Sequence, residues 1–212
     1  MRKIQSKKRY LLAFIIGTAI FLLGFGITYS ISYLEFQRVA GLQGPISYAI
    51  FEEKLRYTYF NENLCSEDSF LDVSQELAFQ GRIIDDLERK LGKNNENILF
   101  RKKFYSLIEI EHLDFVETIN NECGKSINTI LFFYSNEEND LRTSEEVGDI
   151  LSVIASKDPS VRIYSFDINL DSKVVELLKQ EHGVEKSPTV VINRETMIEG
   201  PKTSQEIETY LY

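Results

Sequence analysis

Ile130-Leu131-Phe132-Phe133-Tyr134, running into Ser135-Asn136-Glu137-Glu138-Asn139-Asp140, is the stretch on which the fold turns. Five apolar residues in succession, stopped by a polar loop, read as a buried strand. A helix follows, its start marked by the capping-box pattern Thr143-x-x-Glu146. Residues 161–168 (VRIYSFDI) read as a second strand, and residues 173–179 as a short helix. His182-Gly183 has the form of a helix end with glycine as the left-handed cap. Thr189-Val190-Val191-Ile192 is then a third strand opened by Pro188, Asn193-Arg194-Glu195-Thr196 a hairpin turn, and Thr203-x-x-Glu206 the capping pair of a last helix.

The resulting order, β-α-β-α-β-β-α with a proline at the mouth of the third strand, resembles the thioredoxin superfamily over residues 124–212. In that family the nucleophilic cysteine stands at the start of the helix after the first strand, where the helix N-terminus lowers its pKa. Aligning strand ends puts Glu138-Asn139-Asp140-Leu141 over the family's Cys-x-x-Cys, whereas aligning helix starts puts Thr143-Ser144-Glu145-Glu146 there. Neither register contains sulfur, and neither offers an evident nucleophile. The matching proline of the family is cis, and the residue before it pairs through its backbone with an extended substrate segment. The resemblance therefore implies a peptide-binding position at Ser187-Pro188, rimmed by Glu137, Glu138, Asn139 and Asp140. The plainer alternatives are a solvated acidic loop and a proline that only shapes the strand entry.

Upstream, Gly41-Leu42-Gln43-Gly44-Pro45 reads as a break, and residues 46–60 as a helix rich in aromatics. Residues 69–91 place Phe70, Val73, Leu77, Gln80, Ile84, Leu87 and Leu91 at alternating three- and four-residue steps, which predicts an amphipathic helix. After the turn Lys93-Asn94-Asn95, residues 97–120 predict another, with Phe100, Phe104, Leu107, Ile108, Phe115 and Ile119 on its apolar side. Two helices of about 35 Å joined by a short turn lie antiparallel, so their far ends meet. Cys65 and Cys123, the only cysteines, flank those ends. Their spacing excludes a Cys-x-x-Cys motif, and with two distant histidines, His112 and His182, they do not make up a metal site. A structural disulfide is the favoured expectation, with free thiols as the alternative. Both histidines read as surface or capping residues.

Residues 11–29 (LLAFIIGTAIFLLGFGITY) carry no charge and, as a helix, span about 28 Å of a roughly 30 Å hydrocarbon core. Arg2, Lys3, Lys7, Lys8 and Arg9 precede them, which keeps residues 1–10 cytoplasmic and sends the body out by the positive-inside bias. The rival expectation, a cleaved signal peptide, calls for an apolar run of about 7–15 residues and an Ala-x-Ala-like site, and only Thr28-Tyr29-Ser30 comes near one. Residues 30–212 hold 19 Lys and Arg against 33 Asp and Glu, a charge of −14 that argues against a nucleic-acid partner.

The expectation is a single-pass protein of the cytoplasmic membrane, with a helical stalk or hairpin region at residues 30–123 and an α/β thioredoxin-like domain at 124–212. Its expected role is non-enzymatic: to bind or hold an envelope protein or extended peptide, with no cofactor, no metal and no catalytic residue. The alternative is a thiol-disulfide oxidoreductase using Cys65 and Cys123. Glu67, Asp68 and Glu122 beside them are an electronegative setting that opposes a thiolate.

Overall fold

The computed structural model describes residues 7–31, 33–34, 52, 65 and 67–211, with the side chains of 67–72 left out. The expected break at Gly41–Pro45, the helix at 46–60 apart from residue 52, and the Phe70 side chain lie outside the described residues. Helix α1, Lys7–Ile31, is long and apolar enough to cross a membrane. It forms a unit separate from the body.

The body is α/β. Its elements run α2 (Glu67–Leu91), α3 (Glu96–Cys123), β1 (Asn128–Tyr134), α4 (Leu141–Lys157), β2 (Val161–Asp167), α5 (Lys173–His182), β3 (Thr189–Ile192), β4 (Thr196–Glu199) and α6 (Ser204–Glu208). Four strands form one mixed sheet in the order β2-β1-β3-β4. β1 and β2 are parallel, with Ile130 beside Ile163, and both β1–β3 and β3–β4 are antiparallel. The apolar run of β1 is explained by this central place, since both of its faces are covered. Ile130 and Phe132 pack with Val147, Leu151 and Ile154 of α4 and Ile207 of α6. Leu131 and Phe133 point the other way, into a core with Val73, Leu77, Ile108, Leu113, Val175 and Leu178.

The α2–α3 hairpin is thus one layer of the body's own core. Val73, Leu77, Gln80, Ile84 and Leu87 are buried as their spacing requires, and Leu91 sits at the margin. Gly81 marks the close approach of the two helices: a Cβ there would stand 2.7 Å from the Tyr105 hydroxyl, which donates to the Leu77 carbonyl at 3.0 Å.

α3 departs from its expected apolar side. Ile108, Phe115 and Ile119 are buried, but Phe100 is 72% exposed and Leu107 43% exposed. The covered face carries Ile98, Lys102, Glu109, His112 and Val116 instead. Those polar side chains turn inward because the sheet offers each a partner, as described below. α4 also starts earlier than its capping box implies. Asp140 occupies the N-cap, the Thr143 hydroxyl donates to the Asp140 carbonyl, and Glu146 takes Arg142 as its partner. The Thr203–Glu206 box and the Gly183 cap form as expected.

Cys65 and Cys123 are bonded to each other, Cα to Cα 5.5 Å across a separation of 58 residues. Closing a loop of that length stabilises the folded chain by about 4 kcal/mol in the chain-entropy model. Cys65→Ser with Cys123→Ser should therefore lower the urea midpoint of the full chain in detergent and steepen the transition, because the chain without the bridge unfolds to a more expanded state. A midpoint equal to that of the oxidised parent would show that the bridge contributes nothing.

Candidate functional site

The loop after β1 and the strand entry before β3 meet at one hydroxyl. Ser144, on the first turn of α4, accepts from the Ser135 N–H at 3.1 Å and lies 3.0 Å from the Ser187 hydroxyl. The Ser187-Pro188 peptide bond is cis. Pro188 is buried and its carbonyl accepts from the Gly200 N–H at 2.8 Å, whereas the Ser187 N–H and C=O have no partner among the described residues. Ser135 Oγ accepts from the Glu137 N–H at 3.0 Å, and the Glu137 carbonyl accepts from the N–H groups of Asp140 and Leu141. Ser144 thus joins Ser187 to the loop that carries Glu137, Glu138, Asn139 and Asp140. Glu137, Glu138 and Asn139 are exposed and Asp140 half-buried. Among the described residues, no group of three or more metal-ligating side chains occurs.

A second set of polar groups lies where the hairpin meets the same end of the parallel strands. The Lys102 ammonium donates to Glu88 at 2.9 Å and to Asp167 at 2.5 Å, with all three side chains 5–7% exposed. It stands 5.0 Å from the centre of the Tyr134 ring. Asn136, the second residue of the loop, donates through Nδ2 to both carboxylates at 3.2 Å. Burial pulls the Lys102 ammonium down, but the Tyr134 phenol and the two carboxylates more than offset it and hold it above the ordinary lysine value. Lys102 is therefore a cation at neutral pH. Asp167 also accepts from the Asn169 N–H at 3.0 Å, and the Asn169 amide reaches Ser135 Oγ at 2.8 Å.

Further along α3, Glu109 Oε1 accepts from the Ser165 N–H at 2.7 Å, while Oε2 has no hydrogen-bond partner among the described residues. Burial pushes this carboxyl well above the ordinary range, although the Ser165 bond and Lys102 act against it. His112 corrects an expectation: it is a core residue, 1% exposed, and not a surface or capping one. Its Nε2 lies 2.9 Å from the Ser74 hydroxyl and its Nδ1 2.9 Å from that of Tyr164. Burial, with Arg162 nearby, holds the imidazole down to about 3, hence neutral.

Sequence patterning does not single out Glu88, Lys102, Glu109 or Asp167, and it places His112 on the surface. The signal for them is the series Ile98, Lys102, Tyr105, Glu109, His112, Val116, Ile119, Cys123, whose steps alternate four and three. Its periodicity is that of a buried stripe. Reading only apolar residues as core hides it. No protein-family model matches the chain, and no curated protein does.

Two measurable consequences follow from the buried groups. Lys102→Met leaves two carboxylates buried without their cation and should cost about 3–5 kcal/mol, whereas Lys102→Met with Glu88→Gln and Asp167→Asn should recover a large part of it. Urea midpoints will decide, and a single variant as stable as the parent would show that the ion pairs carry no energy. The pH terms have opposite signs. His112 has its folded value depressed from 6.5, so its stabilisation is complete above pH 6.5 and is lost as pH falls toward about 3. Glu109 has its folded value raised from 4.5, so its stabilisation is complete below pH 4.5 and is lost as pH rises through the raised value. His112→Gln should flatten the acid side of the stability profile and Glu109→Gln the neutral side; profiles parallel to the parent would contradict both.

Proposed function

We propose that this chain is a membrane-anchored thioredoxin-like protein, exposed outside the cytoplasmic membrane, that binds an extended peptide or envelope-protein segment without redox chemistry. One observation carries the proposal. Where a thioredoxin-like domain would hold its dithiol against the residue before the conserved proline, this chain holds the hydroxyls of Ser144 and Ser187 3.0 Å apart. The unpartnered Ser187 N–H and C=O offer an extended segment the two main-chain hydrogen bonds of strand addition. Hydroxyls at neutral pH do not exchange with disulfides.

The sheet order β2-β1-β3-β4, with a parallel β1–β2 pair and an antiparallel β3–β4 hairpin, supports the assignment to the thioredoxin-like class. The basic residues before α1 support an inward N-terminus. A Cys65–Cys123 disulfide is consistent with an oxidising compartment for the body. Both sulfurs are consumed in that bridge, which ties α3 to the segment before α2 and leaves no thiol for the Ser187 position.

The full chain in detergent should reduce insulin with dithiothreitol no faster than the uncatalysed background. A photo-reactive amino acid at position 187 should give a discrete adduct in membranes, absent when the same group stands at Lys157 at the other end of α4. Turnover that disappears in Cys65→Ser with Cys123→Ser would overturn the proposal in favour of an oxidoreductase. Adducts indistinguishable between positions 187 and 157 would remove the binding site from Ser187.

A further inference from the structure

The two polar sets described above are one connected network. From the hairpin it starts at Glu88 on α2 and Lys102 on α3, both within hydrogen-bond distance of groups at the strand ends. Asn136 bridges Glu88 and Asp167 and is the chain neighbour of Ser135. A parallel branch runs from Asp167 to the Asn169 N–H and from the Asn169 amide to Ser135 Oγ. From Ser135 the path continues through its N–H to Ser144 and from Ser144 to Ser187. No link exceeds 3.2 Å. Ser135 is fully buried and Ser144 nearly so, so water competes weakly for these bonds.

We infer that this network couples the seating of the α2–α3 hairpin on the sheet to the shape of the Ser187 site, with Lys102 and Asn136 as positioning residues. The inference rests on Ser187 being the binding position and adds its regulation. If the hairpin lifts, Lys102 leaves, Asn136 loses one of its two acceptors, and the loop that presents Ser135 to Ser144 is released. Coupling of this kind is reciprocal: whatever holds the site in shape also holds the hairpin down. Apolar packing between the hairpin and the sheet seats the helices but does not touch Ser187. The polar path does.

Hydrogen exchange by mass spectrometry on the full chain in detergent, disulfide intact and no peptide added, tests this directly. The Ser135, Glu137 and Asn169 amides are themselves donors within the network and report on it. Asn136→Ala with Asn169→Ala cuts both branches while leaving the Lys102 ammonium paired with Glu88 and Asp167, and should speed exchange at Ser135 and Glu137 at least tenfold. Ser144→Ala, on the far side of the sheet, should speed exchange of α3 amides 98–106 at least threefold in the parent but have no effect on them in the cut background. Val153→Ser, on the exposed side of α4, should leave those amides unchanged. Unchanged hairpin exchange in Ser144→Ala overturns the inference. So does an effect of equal size in both backgrounds, which would mean general destabilisation. No ligand enters the measurement, so its failure is separate from failure of capture at position 187.

Discussion

The Lys102 ammonium, held between Glu88 and Asp167 beneath the Tyr134 ring, is the contact on which the rest of the body depends. Three charged groups out of water cost several kcal/mol each, and only good geometry offsets that. The geometry demands that α2, α3, the end of β1 and the end of β2 each sit in one place. Apolar contact between the hairpin and the sheet is non-directional and tolerates a slide. The ion pairs fix the helices' register, and Glu109 on the Ser165 N–H and His112 between Ser74 and Tyr164 repeat the constraint further along α3.

A hairpin seated in this way belongs to the core of the α/β layer system. Leu131 and Phe133 of the central strand would face water without Val73, Leu77, Ile108 and Leu113. The disulfide closes the same layer at its other end, so that α3 is fixed by sulfur at Cys123 and by charge at Lys102. They stand 21 positions apart on one helix. The peptide-binding surface proposed at Ser187 lies across the strand ends from the charged node and inherits its rigidity through Asn136 and Ser135.

Much of this was readable in the sequence, and what was not has a common cause. Strands such as β1 and β3 declare themselves by unbroken apolar runs between turn residues, and the cysteine positions follow from the lengths of two helices. The meeting of Ser187 with the loop at 135–140 followed from family resemblance, but Ser144 as the junction did not, because a serine on the first turn of a helix has many uses. α3 departs from its expected face because apolar residues alone do not mark its buried stripe. Lys102, Glu109 and His112 fall on the buried stripe by spacing, yet a buried charge becomes credible only when its partner is known. Asp167 and the Ser165 N–H come from a strand more than 55 residues away, brought near by the parallel pairing of β2 with β1. Phe100, apolar by type, is exposed for the converse reason: its spacing puts it off the buried stripe.

The most direct test is whether the hairpin and the sheet unfold together. Urea unfolding of the oxidised full chain in detergent can be followed by far-UV circular dichroism, dominated by helices, and by near-UV circular dichroism from tyrosines carried on the strands, such as Tyr134 of β1 and Tyr164 of β2. A shared core held by Lys102 requires coincident transitions with one midpoint. Loss of the helical signal at clearly lower urea than the tyrosine signal would show a hairpin that leaves a still-folded sheet, and would contradict it.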